Sequence, residues 1–453
     1  MEPRKMNLPE DVKAILRILE SAGHEAYVVG GCVRDFFVGK VPKDYDITTS
    51  MTPDDVMNLF KTKHYRVVPT GIKHGTVTVI PSSSTEGYEI TTFRTDGVYL
   101  DGRHPSSVNF TASLEDDLSR RDLTINAMAY SDSRGLIDIF GGLDDINDKI
   151  IRTVRNPIDR FSEDALRMMR AIRFAAQLGY SIEKETLNSI KKLSASINLI
   201  SKERIHDELS KILMSNNPDY VKLLYETSLL KHILPEVHIL FLTKQNTPWH
   251  LYDVGNHTMV ALRNSKKDLT LRMAVLLHDT GKPDVKTTDE SGIDHFYGHA
   301  EKSSVRAKEI MKRLKFTSKE TDDVELLTNI HDVNVELSNK AVRRFLNKYQ
   351  LDERLFYLFI ELKRADNKGQ NPELATERIE MLDELVDIYE AIKNQPLSVK
   401  DLQVSGYDAL NLGYKGTEIG VILNKLLMMV LDNPSLNNKE TLIEIMTKEK
   451  ENE

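Results

Sequence analysis

Residues 30–48 read GGCVRDFFVGKVPKDYDIT, a glycine pair followed downstream by two aspartates that flank one tyrosine. Asp44 and Asp46 are spaced i, i+2, so on a strand both carboxylates project from the same face. At about 4 Å two such charges repel by roughly 1 kcal/mol in water and about 4 at an effective dielectric near 20, so an adjacent cation is the natural remedy. The spacing therefore suggests a Mg²⁺ site. Gly30 and Gly31 follow the apolar run AYVV, and without a Cβ they let backbone N–H groups approach an anion, with Arg34 placed to assist.

The chain around this stretch has 453 residues, long for one hydrophobic core, so two to four domains are expected. Hydrophobic residues make up 40% and charged residues 29%, ordinary values that argue against disorder or a fibrous class. The N-terminal stretch enters an amphipathic helical pattern with charges too frequent for a signal peptide, and no apolar run is long enough to span a membrane. Cys32 is the only cysteine, which forbids an intramolecular disulfide and fits a reducing cytoplasm. The net charge of −8 does not favour nucleic acid. Averages hide patches, however: Arg152, Arg155, Arg160, Arg167, Arg170 and Arg173 could form a phosphate-binding stripe.

Short β-rich runs (EAYVVGG, GTVTVI, YEITTF, GLIDIF) mix with helical ones up to about residue 155, and beyond Pro157 the pattern is almost wholly helical. Ser162 is placed to cap a helix EDALRMMRAIRFAAQL that stops at Gly179. No internal repeat occurs, which excludes a solenoid. The expected fold class is α+β: a head of mixed sheet and helices on a long all-α remainder.

GGxVRDxxxGxxPxDYDI resembles the head signature of the polymerase-beta-like nucleotidyltransferases, and more closely the CCA-adding tRNA nucleotidyltransferases of the bacterial and eukaryotic class. The resemblance runs from about residue 20 to 445. It implies a head over 1–155, a helical neck over 156–242 that recognises the nucleotide base, an HD-type body over 243–370 and a tRNA-binding tail over 371–453. Asp44 and Asp46 would bind two Mg²⁺ for in-line displacement, with Glu89 of YEITTFR as a supporting carboxylate. In DDLSRRDLTINAMAY, Arg120 and Arg121 would contact the phosphates. Asp122 and Asn126, four apart and hence neighbours on a helix, would face the ribose. Arg170 joins this nucleotide-binding set.

Asp164 and Arg167, in EDALR, lie at i and i+3 and share a face if the segment is helical. A carboxylate beside a guanidinium complements the donor–acceptor edge that cytosine presents at N4 and N3 and adenine at N6 and N1. Uracil and guanine present the reverse order, and a good bidentate pair discriminates by about 1–3 kcal/mol. The same EDxxR pattern is a signature of the family. The segment 95–110, rich in Gly, Asp and Ser, fills a place that members adding only CC lack, and Arg103 within it would guide the change from C to A.

Three His-Asp dipeptides occur, at 206–207, 278–279 and 331–332, and only the second follows an apolar run, AVLLHDTGKP. That context resembles the HD phosphohydrolase superfamily. Neutral imidazole and carboxylate suit divalent metals. By that resemblance His257, His278, Asp279 and Asp332 form an H…HD…D set, with His299 and His331 at a second position. In the tail, Lys415 and Lys425 could meet phosphates.

The expected function is template-independent addition of C, C and A to the acceptor arm of tRNA from CTP and ATP. Poly(A) polymerase shares the head motifs, although its tail tends to be basic where this chain ends in EKENE. A phosphohydrolase worked by the HD body, with a nucleotide-sensing head, is the alternative of another class. Oligomeric state has no residue-level signature here.

Overall fold

A computed structural model describes residues 5–82, 84–97 and 107–451. Arg103 and most of its segment lie outside these. The chain divides into two compact units, Met1–Pro235 and Glu236–Glu453. Head and neck thus share the first unit, while body and tail share the second, whose start precedes the expected 242/243 boundary.

In the first unit the head strands are β1 (Ala26–Val29), β2 (Asp46–Thr49), β3 (Arg66–Gly71), β4 (Thr76–Ile80), β5 (Tyr88–Thr92), β6 (Arg94–Asp96), β7 (Val108–Phe110), β8 (Met128–Ser131) and β9 (Gly135–Asp138). Seven form one sheet in the order β3-β4-β5-β2-β1-β8-β9, and β6 and β7 pair separately. The β2–β5 pair is parallel and its neighbours are antiparallel, so the sheet is mixed. Strand β1 is buried along its whole length, as AYVV requires of a strand covered on both faces. Val29 pairs with Asp46, so the glycines that end β1 and the aspartates that begin β2 meet at the same end of the sheet.

Helices follow the apolar periodicity. In α1 (Glu10–Ser21) the buried residues Val12, Ile15, Leu16 and Leu19 make one stripe. Next come α2 (Gly31–Phe37), α3 (Pro53–Thr62), α4 (Leu114–Ser119) and α5 (Gly142–Asp148). Leu114 and Leu118 of α4 pack with Phe93 against Tyr27, Val29 and Ala129 of the sheet. Burying each of these large side chains contributes about 1.5–3 kcal/mol.

The neck begins with α6 (Pro157–Glu163), α7 (Leu166–Leu178), α8 (Lys184–Leu193) and α9 (Lys202–Leu213), and α10 (Val221–Glu226) and α11 (Leu229–Ile233) complete it. Ser162 is not a cap but lies inside α6, whose N-cap is Asn156, accepting from the Ile158 N–H at 2.9 Å. The single helix expected there is two. Asp164 between them is extended, at φ −144° and ψ 106°, and its side chain accepts from the Leu166 N–H at 3.0 Å. Aspartate competes with the helix through such local bonds. Gly179, in the left-handed region at φ 71°, ends α7 as expected.

The second unit is mainly helical: α12 (Pro235–His238, begun at the boundary), α13 (Val254–Arg263), α14 (Leu269–Leu277), α15 (Lys282–Val285), α16 (His299–Arg313), α17 (Ser318–Ile330), α18 (Asn339–Tyr349) and α19 (Glu353–Lys368) lead to α20 (Pro372–Ile392), the first helix of the expected tail. Leu271 and Met273 through Leu277 of α14 have no exposed surface, which makes this the axial helix of the body. His278 and Asp279 follow directly at its C-terminal end and are carried into the interior. Among the described residues no helix is long and apolar enough to cross a membrane.

Candidate active site and metal centre

At the head, only Asp46 of the aspartate pair belongs to β2; Asp44 lies in the loop that leads into it. Because β2 and β5 are parallel with Ile47 opposite Ile90, Glu89 is level with Asp46 on the neighbouring strand. Asp44, Asp46 and Glu89 line one cleft of about 530 Å³, together with Lys43, Tyr45 and Glu86. Partial desolvation raises the Asp46 carboxyl above its ordinary range; Arg121 works against this and Asp44 adds to it. Among the described lining residues the candidate ligands are carboxylate oxygens with no histidine beside them, which suits Mg²⁺.

Gly30 has φ +77° and ψ −122°, and a Cβ there would stand 3.0 Å from the Arg121 guanidinium. A Cβ at Gly31 would meet nothing closer than 3.8 Å. Gly30→Ala therefore costs about 1–3 kcal/mol of backbone strain and displaces Arg121, whereas Gly31→Ala leaves stability within about 0.5 kcal/mol. Paired thermal melts of the two variants check this contrast.

Arg121 thus reaches toward the glycine turn and Asp46, while Arg120 donates to buried Asp117 at 3.0 and 2.8 Å. Asp122 and Asn126 do come together, at 3.1 Å, through a 3₁₀ turn over Thr124–Asn126 rather than along an α-helix. Arg34 donates to Asn126 at 2.6 Å, and Arg170 of α7 donates to Asp122 at 2.6 Å. Burial would raise the Asp122 carboxyl, but Arg170 and Asn126 outweigh it and hold it far below the usual carboxylate range. Arg34 and Arg170 both lie over the Phe174 ring, at 4.7 and 5.7 Å from its centroid. Head and neck are thereby tied by one hydrogen-bonded network within the first unit.

Asp164 and Arg167 do not pair with each other. Arg167 donates to Glu163 at 2.5 Å, and Asp164 accepts from Arg204 of α9 at 2.6 and 3.3 Å. Each is held by a different neighbour, and neither Glu163 nor Arg204 was among the expected site residues. Arg204 lies on another helix, so no local spacing could have pointed to it.

In the second unit, His257 of α13 and His278 converge on Asp366 of α19, with Nε2 to Oδ1 distances of 2.9 and 3.4 Å. A second group comprises Asp279, His299 and His331, with Nε2 atoms 3.5 and 3.9 Å from Asp279 Oδ1 and 3.1 Å apart. Asp279 Oδ2 faces the first group, 3.3 Å from His278 and 3.8 Å from His257. Asp332 belongs to neither group: it is exposed, and the carboxylate that completes the set is Asp366. A signal existed, since Asp366 stands four residues after buried Leu362 on α19 and so shares its inward face.

Metal ligation fits these residues. The Nδ1 atoms of His257, His278, His299 and His331 lie 2.7–3.0 Å from backbone carbonyls, as donors to them. That leaves each Nε2 lone pair turned inward, the orientation that metal-binding histidines take. His278 Nε2 is buried without a hydrogen-bond partner, while Asp279 Oδ2 is met by Lys282 Nζ at 2.8 Å. Burial pulls the His278 imidazole down, but Asp279 and Asp366 overcome it and push it up to about 10. His331 is lowered to about 3 by burial and by His278 and His299. In the tail, Lys425 is paired with Glu449.

Residues 26–152 match the poly A polymerase head domain, 179–240 the probable RNA and SrmB-binding site of polymerase A, and 250–379 the HD domain. The crystal structure of the Bacillus stearothermophilus CCA-adding enzyme in complex with CTP aligns over 99% of this chain and 99% of its own, with a TM-score of 0.67 and 26% identity. This is the fold of the CCA-adding enzymes. A CCA-adding enzyme of Thermotoga maritima complexed with tRNA shares the fold at 19% identity and a TM-score of 0.60. The CCA-adding enzyme of Ligilactobacillus salivarius is 50% identical over 215 residues, 47% of this chain and 52% of that protein. That of Bacillus subtilis is 50% identical over 199 residues, 44% of this chain and 49% of that protein. The chain is thus matched over about half the length of these curated CCA-adding enzymes.

Proposed function

We propose that this protein adds C, C and A in turn to the 3′ end of tRNA, taking CTP and ATP and releasing pyrophosphate, in the cytoplasm. The observation that carries the reading is the cleft where Asp44, Asp46 and Glu89 meet, with the Gly30 turn and the Arg121 guanidinium at the same end of the sheet. Mg²⁺ held by Asp44 and Asp46, with Glu89 in support, would activate the RNA 3′-hydroxyl and neutralise charge on the triphosphate. Gly30, Gly31, Arg34, Arg120 and Arg121 receive the phosphates. Asp122, held by Arg170 and joined to Asn126, accepts from the ribose hydroxyl and orients the sugar. Asp164 and Arg167 face the base edge, held by Arg204 and Glu163, so that the protein itself stands in for a template. The test is product length on a tRNA lacking its last three nucleotides. With CTP and ATP the product grows by three and stops; a long ladder in ATP alone would instead make this a poly(A) polymerase.

The two His/Asp groups support a second activity in the same chain. His257, His278 and Asp366, with Asp279, His299 and His331, would hold divalent metal, which would supply the charge neutralisation needed to hydrolyse phosphate esters. Asp366→Ala abolishes Mn²⁺ binding in the body while Asp332→Ala weakens it less than threefold, as read by calorimetric titration. Equal loss in both variants would restore Asp332 as the ligand.

A further inference from the structure

Asp117 of α4 has no exposed surface, and a carboxylate is kept in such a place only where cations and hydrogen bonds replace its water. Arg120 donates to its Oδ1 through Nε and Nη2 at 3.0 and 2.8 Å. Arg121 Nη2 stands 3.5 Å from Oδ2, and the Arg94 backbone N–H donates to the same carboxylate. Burial pushes the Asp117 carboxyl up, but Arg120 and Arg121 outweigh it and hold it below the ordinary carboxylate range, so it is charged at neutral pH. The Thr48 hydroxyl lies 3.4 Å from Oδ2 and 3.1 Å from the Thr91 carbonyl. Thr48 follows Asp46 by two residues on β2 and shares its face, so Asp117 sits beside the strand that begins with Asp46.

The two arginines are held unequally. Arg120 gives two N–H groups to one oxygen in a fixed fork, whereas Arg121 makes a single long contact with Asp117. Arg121 Nη1 reaches the Gly30 turn, and its Nε is buried without a hydrogen-bond partner among the described residues. Burial disfavours the Arg121 charge; Asp117 supports it most, Asp46 and Asp122 less, and Arg120 opposes it. A guanidinium so placed settles on the carboxylate that holds it best. Settling on Asp46 would take the cation away from the turn and occupy an oxygen that Mg²⁺ needs.

We propose that Asp117 is a positioning residue that holds Arg121 at the Gly30 turn and off Asp46, so that the triphosphate meets a cation and the metal meets an unoccupied carboxylate. The proposal rests on the nucleotidyl-transfer reading of the head and adds to it a residue that touches neither nucleotide nor metal. Asp117→Asn is the informative change, because it keeps the shape and an acceptor for Arg120 and removes the charge that competes with Asp46 for Arg121.

The test titrates Mn²⁺ into the full chain without nucleotide and reads it by electron paramagnetic resonance. Ions missing from the Asp44→Ala, Asp46→Ala variant are those of the head. Asp117→Asn is expected to bind them at least fivefold more weakly. Adding Arg121→Met to Asp117→Asn restores the parent's affinity within twofold, since no guanidinium is left to move, a recovery that general damage to the fold would not show. In both variants KM for CTP rises at least fivefold while KM for tRNA is unchanged. Arg121→Met alone keeps the head's Mn²⁺ affinity within twofold of the parent's, which decides the matter even if Asp117→Asn fails to fold. Unchanged affinity in Asp117→Asn, no recovery in the double variant, or binding more than twofold tighter in Arg121→Met overturns the role of Asp117 and leaves the reading of the head standing. If Asp44→Ala with Asp46→Ala holds as much Mn²⁺ as the parent, the reading of the head falls first and takes this inference with it.

Discussion

Asp44→Ala with Asp46→Ala lowers nucleotide addition by at least 10³-fold, with folding intact. The carboxylates provide the hard oxygen donors of the head cleft, and metal stabilisation of transferring phosphoryl charge is worth several kcal/mol. Each 1.36 kcal/mol is tenfold in rate, so losing about 4 or more accounts for the expected drop. Asp44 lies in a loop and Asp46 at the first position of β2, and both are exposed, so the thermal midpoint stays close to the parent's. Single-turnover extension of tRNA beside a thermal melt checks both halves. Retained extension in the double variant would move the chemistry elsewhere in the chain.

Asp164→Asn and Arg167→Ala relax the choice of nucleotide. A bidentate base contact discriminates by about 1–3 kcal/mol, which converts to roughly 5- to 150-fold in the ratio of CTP to UTP use. Asparagine is the informative replacement at 164, because it keeps an acceptor for the Leu166 N–H and so preserves the junction between α6 and α7. Arg204→Ala shifts the same ratio in the same direction without touching the base, since it frees the Asp164 carboxylate. Competition kinetics with CTP and UTP separate this selectivity from a general loss of rate. An unchanged ratio in all three variants would leave Asp164 with only its capping role.

Much of the head was legible because its signals are local or adjacent in register. AYVV followed by Gly30 and Gly31 reads as a buried strand ending in a tight turn, and DYDI as the partner that brings carboxylates to that turn. Glu89 came from the family resemblance rather than from a local signal, and the parallel β2–β5 register sets it level with Asp46. Asp122 and Asn126 meet as expected, yet through a 3₁₀ turn, because a four-residue spacing is compatible with more than one backbone path.

What could not be read depends on contacts between distant segments. An Asp164–Arg167 pair presupposes continuous helix, and the extended Asp164 separates the two side chains into different ion pairs. Arg204 comes from α9, whose packing against α7 no local pattern encodes. In the body the adjacent His331-Asp332 drew the fourth ligand to Asp332, whereas the three-dimensional set takes Asp366 from α19. Adjacent residues on a helix end point in different directions, so a dipeptide is a poor guide to which carboxylate turns inward.

The most direct test of the whole account is to offer a tRNA lacking its last three nucleotides all four nucleoside triphosphates at equal concentration with Mg²⁺, and to sequence the added ends. If Asp164 and Arg167 read the base edge as argued, CCA dominates and added U and G are rare. Frequent U or G at any of the three positions, or growth beyond them, would contradict it.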